Sequence, residues 1–538
     1  MIAHPTPLAA EPAQRVAASG RRPWASRRLL AVAVVAAVLF AGLDSTAGGT
    51  HPDERLYLSL ANEMQAHGSW MTPTLQGQPD FTKPPLLYWA AAACLRTFGP
   101  HLWAARLPVA LCALLLSLVA GRLARRFGGE EAFVRGVLVV GTCVGLLRYG
   151  RLLMMDVPLA LAIALGVEAA FLAAAEGRPR RFLVVGLAAG VSALLKGPVG
   201  PLLVFCIAAG VVWLRAPALL KSGWVLAGVA LAAVVAVPWV WGMAVRHGRP
   251  FLERFILVEN FGKFGVRWTF ASEAWLLAVL LLLALPWVGL AQWRGMPRDV
   301  RVLCGVWLAV VLLVFSLPGL KQSHYVVPCL VPLLLLAAVP EAPWTFAART
   351  TAGLLGVLAL VSLLALRVSF PVPVRLGLLG MAVLLLLSAW AMLRLSREGA
   401  AVGFAGAAIL ALCLVLPVLN PPPVPESAWA AAGERPVAVF RQEPGLYELL
   451  SDKKVHRVND AAEASAAVAQ GAAAVLPFQD FAAMPEAMRD GLEPLAHWPR
   501  LRPRLVPGDV LKALWAGSPV PLQEEALLVV RVPVRRPP

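Results

Sequence analysis

Two carboxylates stand side by side in the stretch His51-Pro-Asp53-Glu54-Arg55-Leu-Tyr57. Adjacent acids of this kind suit general-base work or metal binding. Further on, Phe81-Thr82-Lys83-Pro84-Pro85 sets a lysine between an aromatic residue and two prolines. A following proline restricts its neighbour to extended backbone, so Lys83 is a fixed cation suited to a phosphate. The segment Arg148-Tyr-Gly-Arg151-Leu-Leu-Met-Met-Asp156-Val-Pro158 holds another carboxylate, with Arg148 and Arg151 as phosphate ligands or ion-pair partners. Lys196, before Gly197-Pro198, and Lys321, ahead of His324-Tyr325, add two more cations. The stretch 253–267 carries Arg254, Glu259, Asn260, Lys263 and Arg267 in a cationic amphipathic pattern.

Each signal has a plainer alternative. Asp53 and Asp156 also read as helix N-caps. The lysines also read as side chains snorkelling at helix ends, and 253–267 as a helix lying on a membrane surface. Taken together they suit a reaction with an anionic leaving group. One carboxylate would accept the proton of an attacking hydroxyl, and the cations would stabilise a departing phosphate.

The elements that must position these residues are apolar. The chain has 538 residues, 59% hydrophobic and 15% charged, with a net charge of +17. Soluble chains average about 45–50% apolar and about 25% charged residues, so a disordered, fibrous or ordinary cytosolic protein is excluded. A membrane-crossing helix needs about 20 mostly apolar residues. Such stretches recur about thirteen times between residues 28 and 419. Arg15, Arg21, Arg22, Arg27 and Arg28 precede the first stretch, and every second connection afterwards is basic. Basic connections belong in the cytoplasm. The expected layout is a cytoplasmic tail over 1–27 and a membrane domain over 28–420 with outward loops 44–101 and 243–272. An odd span count places the C-terminal domain, 421–538, outside. Most of the positive charge is then an orientation signal rather than a nucleic-acid surface.

The expected fold class is an all-α polytopic membrane bundle followed by a small soluble α/β domain. Pro421, Pro422, Pro423 and Pro425 form a stiff linker. Beyond it, strands are expected at 436–441, 454–458, 473–477 and 526–533, and helices at 444–451, 460–470 and 481–491. The seven cysteines form no CxxC pair and read as small buried hydrophobes. Well away from the ends of the spans, the lone charge is Glu168. Charge gathered at span mouths favours chemistry at a boundary over a transporter with groups at the midplane. A scaffold displaying the tail leaves the clustered motifs unexplained.

The motifs Asp53-Glu54, Trp70…Lys83-Pro84-Pro85-Leu86…Tyr88-Trp89, Met154-Met155-Asp156-Val-Pro158, Leu195-Lys196-Gly197 and Lys321…Tyr325…Pro328 occur in this order. The chain resembles the polyprenyl-phosphate-sugar-dependent glycosyltransferases of the GT-C fold. Within them it is most similar to the bacterial aminoarabinose-transferase and protein-mannosyltransferase group, glycosyltransferase families 39 and 83. The resemblance covers residues 28–420, and the tail has the layout of the lipid A aminoarabinose transferases, in which a periplasmic domain follows thirteen spans. It implies an enzyme of the bacterial inner membrane that moves a sugar from an undecaprenyl-phosphate carrier to a lipid A-like or other envelope acceptor. A protein O-mannosyltransferase-like enzyme is the alternative. The implied partners are the lipid-linked donor, the acceptor and membrane lipids, with no nucleic acid.

Position by position, the resemblance makes Asp53 the catalytic base and Asp156 the second essential carboxylate. It gives Lys83 the carrier phosphate, with Lys196, Lys321 and Tyr325 beside the carrier. Glu54, Arg55, Tyr57, Arg148, Arg151, Glu259, Asn260 and Lys263 are supporting candidates. The chain departs from the aminoarabinose transferases at three places. Thr82 replaces a glutamate and Asn260 a histidine, which are metal ligands there; Leu56 replaces an arginine, with Arg55 one place earlier. No cofactor follows from the motifs. A divalent metal stays open, but its family ligand positions are held here by Thr82 and Asn260, and metal-free transfer is the expectation.

Overall fold

Runs of Leu, Val and Ala broken by Gly and Pro satisfy every backbone group within one segment when they coil into helices. In the computed structural model this yields a helical bundle, described over residues 11–46, 51–262, 269–319, 321–340, 345–419, 422–451, 453–489, 492–501, 507–518, 520 and 523–531. In chain order the helices are α1 (Glu11–Phe40), α2 (Pro52–His67), α3 (Leu86–Phe98), α4 (Leu102–Gly141), α5 (Val144–Tyr149) and α6 (Asp156–Glu176). Then come α7 (Phe182–Lys196), α8 (Val199–Arg215), α9 (Gly223–Leu252), α10 (Phe270–Leu283), α11 (Arg298–Ser316) and α12 (Leu330–Ala338). Next are α13 (Thr345–Ala365), α14 (Val372–Leu393) and α15 (Arg397–Leu410), and shorter helices follow toward and within the C-terminal part. α4 is two helices joined at Gly128 and Gly129; Gly129 has φ +66°, a backbone conformation that a side chain disfavours.

Among the described residues, seven helices are long and apolar enough to cross a membrane. Four further apolar helices have 10–17 residues. At 1.5 Å rise per residue, such a helix falls short of a hydrocarbon core about 30 Å thick. The bundle is therefore polytopic; seven spans among the described residues meet length and composition alone, which leaves the expected thirteen unconfirmed.

α6 is the centre of the bundle: 78% of its apolar window is buried, against 17% for α9. α9 lies at the periphery and exposes Leu226, Val234, Trp241 and Val245. An outer surface of this kind is stable against lipid tails and costly in water. Glu168, within α6, is answered by Arg122 of α4, whose Nε donates to Oε1 at 3.0 Å.

A hairpin of β1 (Thr74–Leu75) and β2 (Gln78–Pro79) follows α2. The C-terminal part forms a five-stranded sheet of β3 (Val437–Phe440), β4 (Val455–Val458), β5 (Ala473–Pro477), β6 (Leu492–Leu501) and β7 (Gln523–Arg531). The strand order is β4-β3-β5-β7-β6. β3 runs parallel to β4 and β5, whereas β7 is antiparallel to β5 and β6. β6 was not expected, because Pro494 and Pro499 argue against a strand. Its place at the sheet edge tolerates them, since a proline there leaves no ladder bond unmade. The helix expected over 481–491 is instead two short helices, Phe478–Ala482 and Glu486–Arg489, separated around Pro485.

The tail meets the bundle on α2. The Gly445 amide donates to Ser59 Oγ at 2.8 Å, and Asn62 Nδ2 donates to Glu448 Oε2 at 2.9 Å. A Cβ on Gly445 would lie 2.3 Å from the Ser59 backbone nitrogen, so glycine permits this approach.

Candidate functional site

Pro52 opens α2 at a position where its missing N–H is no loss. His51 caps the helix, its Nδ1 accepting from the Asp53 amide at 3.2 Å. Neighbouring residues on a helix point about 100° apart, and the two adjacent carboxylates accordingly part. Glu54 turns inward, fully buried, and accepts from Arg106 Nε at 2.7 Å and Nη2 at 3.0 Å. The Leu153 amide donates to the same carboxylate at 2.9 Å. Arg106 also donates to the carbonyls of Leu43 and Ser45. This network joins the end of α1, the start of α2, the start of α4 and the loop before α6. Asp53 turns the other way, 38% exposed, into a cavity of about 740 Å³.

The cavity is lined by Asp53, Leu56, Tyr57, Thr82, Lys83, Asp156, Lys196, Glu259, Asn260, Phe315, His324 and Tyr325 among others. Lys83 Nζ lies 3.3 Å from Glu259 Oε2, and Arg254 pairs with the other oxygen of Glu259 at 3.1 Å. The loop carrying Lys83 is held by Trp89 Nε1 donating to the Trp70 carbonyl at 2.6 Å. Asp156 begins α6 and is 3% exposed; Lys196 ends α7 and meets it at 2.5 Å. Each charge sits where its helix dipole favours it. Lys196 Nζ also stands 5.0 Å from the centre of the Tyr325 ring and 5.6 Å from that of Phe315. Burial holds the Tyr57 phenol well above its ordinary range, so it remains a hydroxyl. Burial lowers the His51 imidazole, favouring its neutral form.

Other expected residues lie elsewhere. Glu54 is walled into the network above. Arg151 donates to the carbonyls of Leu39 and Ala41 at the end of α1, which uses its guanidinium in packing rather than on a phosphate. Lys321 pairs with Glu273 of α10 at 2.9 Å and donates to the carbonyls of Phe315 and Ser316, away from the cavity lining. Arg148 is exposed, its guanidinium carbon 5.5 Å from the centre of the Tyr149 ring. Arg55 is half-buried outside the lining. Lys263 lies outside the described residues. Thr82 and Asn260 do not reproduce a metal site: Thr82 Oγ1 donates to Asp80 Oδ1 and Asn260 Nδ2 to the Phe255 carbonyl, both at 2.5 Å. Neither side chain offers the carboxylate or imidazole that such a site uses.

Sequence reasoning passed over His51 and His324 as site residues. His324 is 5% exposed and presents Nε2 at 4.0 Å from Asp53 Oδ2. The signal was present, since both histidines fall within the quoted motifs, but nothing in the spacing joins residue 51 to residue 324.

This bundle, with charged groups gathered in a cavity at helix ends, defines a polytopic membrane protein of the GT-C fold. Among solved structures it matches the crystal structure of ArnT from Cupriavidus metallidurans in the apo state, with a TM-score of 0.66 at 21% identity. That match covers 89% of this chain and 96% of the other. The structure of the same protein bound to undecaprenyl phosphate matches at a TM-score of 0.66 and 20% identity. The family model for dolichyl-phosphate-mannose-protein mannosyltransferase matches residues 82–241. The chain is 30% identical over 330 residues to undecaprenyl phosphate-alpha-4-amino-4-deoxy-L-arabinose arabinosyl transferase 2 of Pseudomonas fluorescens, covering 58% of this chain and 59% of that one. It is 29% identical over 304 residues to the corresponding transferase of Edwardsiella ictaluri, covering 53% and 54%. The chain thus spans somewhat over half the length of these relatives. The resemblance read from the motifs is found again in these comparisons.

Proposed function

We propose that the protein is an integral membrane glycosyltransferase that moves a sugar from a polyprenyl-phosphate carrier, of the undecaprenyl class, to an envelope acceptor of the lipid A kind. One observation carries this reading: a carboxylate and two lysines share a cavity large enough for a sugar phosphate. Among the described residues, no Lys or Arg lies within ion-pairing distance of Asp53. The acceptor hydroxyl attacks the anomeric carbon as its proton passes to Asp53. The bond from that carbon to the carrier phosphate oxygen breaks, and the phosphate leaves with the electron pair toward Lys83 and Lys196. Single displacement inverts the anomeric centre. Asp156 holds the Lys196 ammonium in place.

The protein acts in the bacterial inner membrane with its N-terminus in the cytoplasm. Residues 28–420 form the catalytic domain, and residues 421–538 lie outside, where they dock the acceptor. The mannosyltransferase family model over residues 82–241 favours a second reading, transfer to a protein hydroxyl.

The test is transfer by purified protein from an undecaprenyl-phosphate sugar, comparing wild type with Asp53→Asn. Retained activity in the variant removes Asp53 as base. Uptake into proteoliposomes without a glycosylated product would replace the transferase with a transporter.

A further inference from the structure

Beside Asp53, the proton acceptor above, stand two histidines to which the transfer chemistry gives no role: His324 in the cavity wall and His51 at the cap of α2. His51, Asp53 and His324 each present a ligand atom, and these atoms lie within 4.8 Å of one another. We propose that these three side chains bind one divalent cation of the zinc class.

Zinc with bonds of about 2.0–2.1 Å to nitrogen and oxygen sets tetrahedral ligand atoms about 3.3 Å apart. The distance from His324 Nε2 to Asp53 Oδ2 is 4.0 Å, so a modest side-chain rotation closes the site. Asp53, half-exposed, is free to make that rotation. His324 is not: it is 5% exposed, and its ring is held edge-on by those of His51 at 5.6 Å, Tyr149 at 6.3 Å and Tyr325 at 5.0 Å. Yet no hydrogen bond within the described residues engages its Nδ1, and 4.0 Å is beyond hydrogen-bond reach for Nε2. Buried polar groups are normally partnered. A fixed imidazole without a bond, aimed at a carboxylate, has the form of a ligand awaiting its metal.

Charge gives a second reason. The cavity lining carries Asp53, Asp156 and Glu259 against Lys83 and Lys196. Both lysines already pair with carboxylates, Lys83 with Glu259 and Lys196 with Asp156. A carrier phosphate adds further negative charge. A dication beside Asp53 offsets it, where otherwise like charges would meet in a partly desolvated space.

Two imidazoles and one carboxylate are a donor set for zinc and its neighbours rather than for calcium or magnesium. Three protein ligands leave a fourth position open, the pattern of a catalytic rather than a structural site. His51 gives up its bond from the Asp53 amide on loading, because a neutral imidazole offers a single lone pair. The site is distinct in its residues from the pair Thr82 and Asn260. Its geometry stands independently of the transferase reading. Its use rests on that reading: an acceptor oxygen in the open position would lose its proton more readily to the unligated oxygen of Asp53.

The experiment uses full-length protein in detergent, stripped with a chelator and dialysed against micromolar zinc. Metal content is measured by mass spectrometry, and a Co²⁺-loaded sample by visible absorption. The expected result is one zinc per chain and the strong d–d bands of tetrahedral Co²⁺, with both lost in His324→Gln and His51→Gln. Zinc absent from the wild type, or retained undiminished in both variants, overturns the proposal. Should a variant fail to fold, the wild-type Co²⁺ spectrum decides, and weak octahedral bands overturn it. Sugar transfer is assayed separately. Zinc bound stoichiometrically without transfer would refute the transferase reading and leave the site standing.

Discussion

Glu54 accepts two hydrogen bonds from the guanidinium of Arg106, at 2.7 and 3.0 Å, and both side chains are almost wholly buried. The pair fixes the rotation of α2 about its own axis. Asp53, one residue earlier, is thereby directed into the cavity.

Replacing Glu54 by Ala leaves the Arg106 charge buried without its partner. Removing one member of a buried pair costs about 3–5 kcal/mol. Thermal unfolding in detergent should show a marked fall for Glu54→Ala. A melting temperature within error of wild type would show that the pair does not hold α2.

Asp53→Asn should behave in the opposite way. Its carboxylate is 38% exposed and, among the described residues, forms no ion pair with a Lys or Arg. Loss of a general base lowers rate by about 10²–10⁴-fold. The turnover number should fall by that order with the melting temperature unchanged.

Lys196 and Asp156 form a pair that double-mutant analysis can resolve. Lys196→Met strands a carboxylate that is 3% exposed and should destabilise the protein strongly. Adding Asp156→Asn should restore much of the stability but none of the transfer. Additive losses in unfolding free energy would contradict the coupling.

Lys83 and Lys321 should separate binding from structure. Lys83→Ala is expected to raise the KM for a lipid-linked donor. Lys321, committed to Glu273 and two carbonyls, should lower stability when replaced by Ala and leave that KM unchanged. Equal effects on donor KM would return Lys321 to the phosphate site.

Glu448 provides a pH-dependent contact. Burial raises its carboxyl above the usual value of 4.5. A raised folded-state value means that protonation favours the docked state. The docking of this buried carboxyl is therefore firmest below the ordinary carboxylate range and weakens as pH rises through the raised value, even though the Asn62 hydrogen bond itself favours the carboxylate. Hydrogen exchange at 445–451 should slow on acidification, and Glu448→Gln should abolish the dependence.

Much of this arrangement was legible in the residues alone. Asp53, Lys83, Asp156, Lys196 and Tyr325 follow or precede apolar runs, and the structure gathers all of them in one cavity. The residue types alone left Asp53 and Glu54 equivalent, because their difference depends on Arg106, on another helix; only the family resemblance singled out Asp53. Arg151 and Lys321 looked like free cations for the same reason. Their partners, the carbonyls of Leu39 and Ala41 and the carboxylate of Glu273, lie far away in the chain. Length and composition alone identify seven spans among the described residues, because apolar helices such as α8 and α10 are short; that measure neither reaches nor excludes the expected thirteen. β6 escaped because its prolines hide an edge strand.

The contact of Gly445 with Ser59 bears on how such proteins can be rebuilt. The tail rests on α2, and α2 carries Asp53 in its first turn. The two therefore form one mechanical part. A chimera that exchanges the C-terminal sheet alone would set a foreign surface against Ser59 and Asn62 and tilt the helix beneath the carboxylate. One that carries α2 along with its tail keeps that alignment, so the natural unit of exchange crosses the apparent border between membrane bundle and sheet.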